Sequence, residues 1–170
     1  SFAGSPGGVQ GAAEIGFIRK QGETRLDHLF QHDPLRVLFP APAPGEPPCA
    51  VLVTTSGGMV GGDHLNVSVS AGPGTTALAM AQAAEKIYRS AGEDSKIDVR
   101  LSVGKDAWLE WLPQETILFD GARLIRETRI DLAPDAGCML LETVVLGRLA
   151  MGERLSRLSL TDRRIVRRAG

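Results

Sequence analysis

Residues 65–74, Leu65-Asn66-Val67-Ser68-Val69-Ser70-Ala71-Gly72-Pro73-Gly74, alternate apolar and polar side chains and then stop at Gly-Pro-Gly. Alternation at period two puts Leu65, Val67 and Val69 on one face of a strand and Asn66, Ser68 and Ser70 on the other, and the Gly-Pro-Gly triplet ends it in a turn. Ile97-Asp98-Val99-Arg100-Leu101-Ser102-Val103 repeats the alternation, as does Arg129-Ile130-Asp131-Leu132. The turns Ser70–Gly74, Ser102–Asp106 and Asp131–Asp135 then fall at offsets of 32 and 29 residues, each followed by another apolar strand pattern. A period near thirty with strand, turn and strand in every unit predicts a mainly β, stacked, solenoid-like architecture, with three hairpins of a sandwich or barrel as the plainer alternative.

Further strands are expected at 35–39, 50–55, 75–82, 107–111, 116–119, 122–128, 138–146, 155–160 and 163–167. One or two short helices complete the expected fold, with Gln82–Ser90 (QAAEKIYRS) able to form about two turns or an extended segment. The N-terminal SFAGSPGGVQGAA has neither a basic region nor an apolar core, so residues 1–13 are expected to be a disordered leader and 14–170 a single domain. The missing initiator Met and the end inside RRIVRRAG suggest a piece of a longer chain.

Composition narrows the function. Lys and Arg number 19 against 20 Asp and Glu, a net charge of -1 and a pI near 6.3, so no global field attracts nucleic acid or an anionic membrane. Apolar runs are broken well short of the ~20 residues of a spanning helix. Cys49 and Cys138 form no CxxC or Cys/His cluster, which removes a disulfide framework and a structural zinc site and makes a reducing cytoplasm the simplest home.

The glycine-rich stretch Gly57-Gly58-Met59-Val60-Gly61-Gly62-Asp63-His64 lacks the Lys-Ser/Thr of a P-loop and the spacing of a dinucleotide site. It reads either as a tight turn or as a rigid presentation of the acid Asp63, with His64 beside it. His28 and His32 would share a helix face, but Pro34 follows at once, and an exposed pair on a strand or turn is favoured. Neither GxSxG nor HExxH occurs, so nothing supports an enzyme. Glu110, Glu115, Asp120 and Glu142 are scattered through apolar strand patterns. Glu142 in Met139–Leu146 must face water, a partner or a polar cavity. From Gly147 onward seven arginines (Arg148, Arg154, Arg157, Arg163, Arg164, Arg167, Arg168) oppose Glu153 and Asp162, a local net of +5. That segment reads as a solvated basic strand pair, then as a surface for an acidic protein; base-stacking aromatics are lacking.

Three blocks, GGMVGGD (57–63), QAAEKIYRS (82–90) and LEWLPQETILFDGARL (109–124), together resemble the urease accessory protein family UreD, called UreH in some bacteria. Gly22–Leu26 and Pro34–Val37 before them agree, as do Leu146-Gly147-Arg148 and Gly152-Glu153 after them, so the resemblance covers about residues 14 to 168. Thr54-Thr55-Ser56 and Leu149 depart from the common pattern of the family. The resemblance implies a β-helical fold, and members that run on further at the C-terminus. It also implies a non-catalytic maturation factor that binds apo-urease with UreF and the GTPase UreG and helps deliver nickel, held only transiently, through an internal polar path. Asp63, His64, Glu115 and Glu142 are the residues expected along such a path, because weak oxygen and imidazole ligands release a divalent ion where a cluster would trap it. Gly57, Gly58, Gly61, Gly62, Gln82, Lys86, Tyr88, Arg89, Gln114, Asp120, Gly121, Gly147, Arg148 and Glu153 are the signature positions, expected to be structural or at an interface. A β-solenoid carbohydrate-binding or carbohydrate-active module is the competing reading, weakened by only two Trp and one Tyr.

Overall fold

The three repeated turns lie on top of one another in the computed structural model, which describes residues 7–148 and 151–169. Ser70 sits beside Ser102, and Ser102 beside Asp131, in a parallel ladder that reproduces the sequence offsets. Three coils follow. Strands β5 (His64–Ala71), β8 (Ser95–Val103) and β11 (Arg123–Leu132) are their first sides, and β6 (Thr76–Ala81), β9 (Trp108–Leu112) and β12 (Gly137–Leu140) their second. The short strands β7 (Glu85–Ile87), β10 (Thr116–Leu118) and β13 (Val144–Leu146) are the third sides. A fourth first side, β14 (Ser159–Arg168), pairs with β11 at an offset of 36 residues.

The other strands stand at the opposite end: β1 (Gln10–Lys20), β2 (Glu23–His32), β3 (Leu35–Leu38) and β4 (Cys49–Thr54). The result is a six-stranded sheet β14-β11-β8-β5-β1-β2, a five-stranded sheet β12-β9-β6-β4-β3 and a three-stranded sheet β13-β10-β7. Pairing is parallel between coils, while the antiparallel strands β2 and β3 finish the six- and five-stranded sheets.

Period-two alternation drives this arrangement, because every inward residue meets its counterpart in the next coil. Val69, Leu101 and Ile130 form one inward row, and Ala77 and Leu109 stack on the second side. Each such large side chain removed from water contributes roughly 1.5–3 kcal/mol. The first corner is held by one turn used three times: Thr75, Ala107 and Ala136 each donate a backbone N–H to the carbonyl three residues earlier, at 3.2, 3.1 and 3.1 Å.

Several sequence expectations change. No α-helix occurs among the described residues: Gln82–Ser90 is a bend followed by β7, because Glu85 and Ile87 turn inward at strand spacing. The fold begins at Gln10 rather than residue 14, with Ala13 fully buried, so residues 10–13 belong to β1 and not to a leader; residues 1–6 and Leu149 lie outside the described residues. The expected strands 122–128 and 129–132 are one strand, β11, and 155–160 and 163–167 are replaced by β14, while 138–146 divides at Leu141–Thr143 into β12 and β13. His28 and His32 are exposed on β2, with Nε2 of His28 3.3 Å from Glu14 Oε2 and Nδ1 of His32 3.0 Å from the Gln10 carbonyl, not a helical pair.

Candidate functional site

The inward rows change character along the coil. Leu65 and Ile97 are followed in the same row by Arg126 and Asp162, and Val67 and Val99 by Thr128 and Arg164. An apolar interior therefore becomes a charged one toward β14. Where the three sheets converge, a cavity of about 220 Å³ is lined by Leu65, Val67, Ile97 and Val99 on one side and by Glu85, Thr116, Arg126 and Glu142 on the other.

Glu142, whose side chain is 1% exposed, comes from the link between β12 and β13. Its Oε1 accepts from Thr128 Oγ1 (2.9 Å) and Trp111 Nε1 (3.2 Å), and its Oε2 from Arg164 Nε (2.9 Å). Arg126, 4% exposed, donates from Nε to Asp162 Oδ1 (3.0 Å), from Nη2 to Oδ2 (2.6 Å) and from Nη1 to Thr116 Oγ1 (3.2 Å). Arg164 Nη2 closes the set on Asp162 Oδ2 at 3.1 Å. Two arginines and two acids cancel formally, which is how charges survive burial. Burial opposes the charge of Arg126, but its hydrogen bonds to Asp162 and the nearby carboxylates outweigh that and hold its pKa up. Asp162 is likewise penalised by burial, and Arg126 more than compensates, so its pKa is lowered.

Glu85 differs. It stands on β7 beside Thr116, with Thr54 Oγ1 donating to Oε2 at 2.8 Å, and no cation pairs with it among the described residues. Desolvation pushes its carboxyl above the usual range, only partly offset by the hydrogen bonds, with the charge of Asp63 adding to the rise.

Of the four residues expected along a path, only Glu142 lines this cavity. Asp63, 7% exposed, clamps the glycine-rich turn to the residue just before β1, accepting from Val9 N (2.8 Å) and Val60 N (2.9 Å). His64 lies on the outer face of the six-stranded sheet, its Nε2 2.6 Å from Asp98 Oδ2. Glu115 is half-buried outside the cavity lining, and its carbonyl accepts Glu85 N at 3.0 Å. No group of three His, Cys, Asp or Glu side chains with metal-binding geometry occurs among the described residues.

The signature positions separate into two sets. Gly57, Gly58, Gln82, Lys86 and Gln114 border the cavity with Glu142. Gly58 has φ +139°, and a Cβ there would lie 2.6 Å from the Tyr88 ring and 2.7 Å from the Lys86 carbonyl, so glycine is required on both counts. The second set meets at the corner that follows the three-stranded sheet. Tyr88 stacks on Phe119 with centroids 5.0 Å apart and donates its hydroxyl to the Gly57 carbonyl at 3.1 Å, and Arg148 lies 4.5 Å from the Phe119 centroid. Arg89 is paired with Asp120. Asp120 Oδ1 also accepts Ser156 N (2.7 Å), Ser156 Oγ (2.7 Å) and Arg157 N (3.1 Å), and these bonds, the Ser156 amide first, lower its pKa to about 2. Glu153 accepts from Asp120 N (3.2 Å) and Arg148 N (2.9 Å). Gly121 turns beneath Arg89 with φ +77°, Gly147 donates its N–H to the Leu118 carbonyl, and Gly61 and Gly62 pack against Ser90 and Glu93. The corner residues thus brace one another.

Sequence reading passed over Glu85, Trp111, Arg126, Thr128, Asp162 and Arg164. A signal existed for four of them: in Leu124, Arg126, Thr128, Ile130 and Leu132 the even positions are inward, so the parity that found the strand already placed Arg126 and Thr128 inside, and Leu160 and Val166 do the same for Asp162 and Arg164. Glu85 was hidden by the helical alternative for its segment.

The sequence profile described as "UreD urease accessory protein" matches residues 9–170. A protein of Magnetococcus marinus named urease accessory protein UreD is 49% identical over 163 residues, covering 96% of this chain and 56% of that relative. The proteins of the same name from Cereibacter sphaeroides and Paracoccus denitrificans are 48% and 47% identical, covering 94% and 95% of this chain and 58% and 56% of their own lengths. The chain spans less than two thirds of these relatives.

Proposed function

Since the chain belongs to the UreD family of urease accessory proteins, we propose that it serves urease maturation as a non-catalytic scaffold in the cytoplasm. In this reading it binds apo-urease together with UreF and the GTPase UreG, and nickel is its cargo, passing transiently along the interior. One observation carries the reading: the solenoid, whose inward rows are apolar at β5 and β8, turns polar at β11 and β14 and leaves a cavity with two carboxylates, Glu85 and Glu142.

The chemistry of the donors suits a cargo more than a resident ion. Oxygen ligands bind a borderline divalent ion weakly and exchange it. Glu85 would be the receiving carboxylate, because it lines the cavity and no cation pairs with it among the described residues. Glu142, tied to Trp111, Thr128 and Arg164, would receive the ion only when Arg164 yields. Asp63 supports the path through its clamp on the turn, and His64 and Glu115 stand outside the cavity lining. The carbohydrate reading draws little support from the tryptophans, since Trp111 donates inward to Glu142 and Trp108, though half-exposed, packs over Gly137 and donates to Glu110.

The test is urease activity and nickel content in cells lacking the endogenous gene. Complementation with the full-length protein is expected to restore both, Glu142→Ala and Glu85→Ala are expected to lower nickel incorporation while urease pull-down is retained, and Glu115→Ala is expected to have little effect. Full incorporation by both cavity variants would remove the path, and fully active urease in the deletion strain would remove the maturation role.

A further inference from the structure

The basic C-terminal segment has only part of its charge accounted for by the fold. Arg164 serves Glu142 and Asp162, Arg163 reaches Glu127, Arg168 caps the carbonyls of Ala133, Pro134 and Ala136, and Arg148 covers Phe119 and pairs with Glu153. Among the described residues, the side chains of Arg154, Arg157 and Arg167 make no hydrogen bond or ion pair. Arg157 is the one of these three that borders a cleft of about 360 Å³, formed where the corners before β8, β11 and β14 stack.

Arg123 faces the same cleft. Its Nε is shielded from solvent and has no hydrogen-bond acceptor, because Asp94 Oδ1, although 3.0 Å away, does not lie along the N–H direction. A shielded, unsatisfied guanidinium N–H calls for an acceptor. Ser159 adds a hydroxyl with no partner among the described residues, and no carboxylate lines the cleft. Two guanidinium groups, which only donate, and a hydroxyl, which can turn its O–H toward a ligand, surround a small hollow and favour an anion with several oxygens.

We propose that Arg123, Arg157 and Ser159 form a binding site for a small oxyanion, a carboxylate or a phosphate, separate from the interior cavity. Arg157 and Arg123 both line the cleft, Arg123 with Asp94 beside it, so a ligand with two or more oxygens would bridge them. The site sits beside the Arg89–Asp120 brace, and occupancy would tie the segment leading into β14 to the two preceding coils.

The experiment is a titration of the ¹⁵N-labelled full-length protein with inorganic phosphate, and separately with a short glutamate-rich peptide, against chloride at matched ionic strength. Saturable shifts confined to residues 90–92, 121–123 and 157–159 are expected for at least one ligand. Arg157→Gln, an exposed change, is expected to weaken binding about tenfold or more, the scale of one lost charged hydrogen bond. Arg167→Gln, which removes an equally free cation elsewhere, is expected to leave it unchanged. Response to phosphate alone assigns the site to a free ion, and response to the peptide assigns it to a partner's acidic side chain. Absence of saturable shifts with both, or equal binding by Arg157→Gln, overturns the site. Ser159→Ala supplies a second, charge-neutral variant, expected to weaken binding without altering the fold.

Discussion

Removing Asp162 alone is expected to cost more than removing the whole ion pair. Arg126 is 4% exposed and directs two hydrogen bonds to Asp162 and one to Thr116. Asp162→Ala leaves that guanidinium buried with Thr116 as its remaining hydrogen-bond partner, a situation that destabilises by roughly 3–5 kcal/mol. Against a total stability of about 5–15 kcal/mol, this is a large share. The double variant Arg126→Met/Asp162→Leu removes both charges, keeps Arg164 with Glu142, and continues the apolar rows of Leu65–Ile97 into the next coil; it is expected to fall within about 1 kcal/mol of the parent. Urea unfolding followed by tryptophan fluorescence is the assay, with Trp111 reporting directly through its bond to Glu142. The pH dependence adds a sign. Because the pKa of Asp162 is lowered in the fold, its contribution is fully present above the ordinary carboxylate value and is lost as pH falls through the folded value, so the gap between parent and Asp162→Ala should shrink only in acid. A single variant losing less than about 1 kcal/mol, or a double variant losing as much as the single, refutes the account of this cluster as a buried pair held by mutual need.

Glu85→Gln should stabilise the protein at neutral pH, because a carboxyl whose pKa is raised by folding loses stability as pH rises from its unfolded to its folded value; thermal melts at pH 7 and pH 4 should show the gain at the higher pH and a smaller one at the lower. Asp120→Asn is expected to leave global unfolding nearly unchanged but to speed hydrogen exchange at Ser156 and Arg157, and in the parent the same amides should loosen only as pH falls from the ordinary carboxylate range toward about 2. Gly58→Ala should cost roughly 1–3 kcal/mol or more from its strained φ and its collision with Tyr88, measured by chemical denaturation, with Gly57→Ala, where a Cβ meets nothing within 4 Å, as the mild comparison. Leu101→Ala, at a fully buried position of the central row, should cost about 2–5 kcal/mol in the same assay.

The coil was legible because its rule is local. Alternation at 65–70, 97–103 and 129–132 and the recurring turns needed only neighbours in sequence, and the offset between them is the register itself. β1 escaped because Ile15, Gly16 and Phe17 are all buried around a register shift, which breaks period two, and β2 escaped because nearly all of it is exposed. Glu142 was visible as a misfit in an apolar run, yet its role depends on Arg164 and Trp111, 22 and 31 residues away, and on a row position fixed only once β14 has paired. Asp63 and His64 drew notice by composition. Their partners, two backbone amides and Asp98, make them parts of the wall and its outer face.

The three corners of each coil are not equivalent. The first spans residues 72–75, 104–107 and 133–136, the same length each time and closed by the same hydrogen bond. The last spans 88–94, then 119–122, then 147–158. An inserted or deleted residue is therefore accommodated best at the last corner. A residue added at the first corner would slide two sheets against each other and turn every inward side chain of the coil outward, whereas one added at the last corner lengthens a surface loop and leaves the rows in step. Change in length is channelled to the edge that carries the aromatic brace and the arginine-lined cleft, so that edge can vary in shape while the bore of the coil keeps its register.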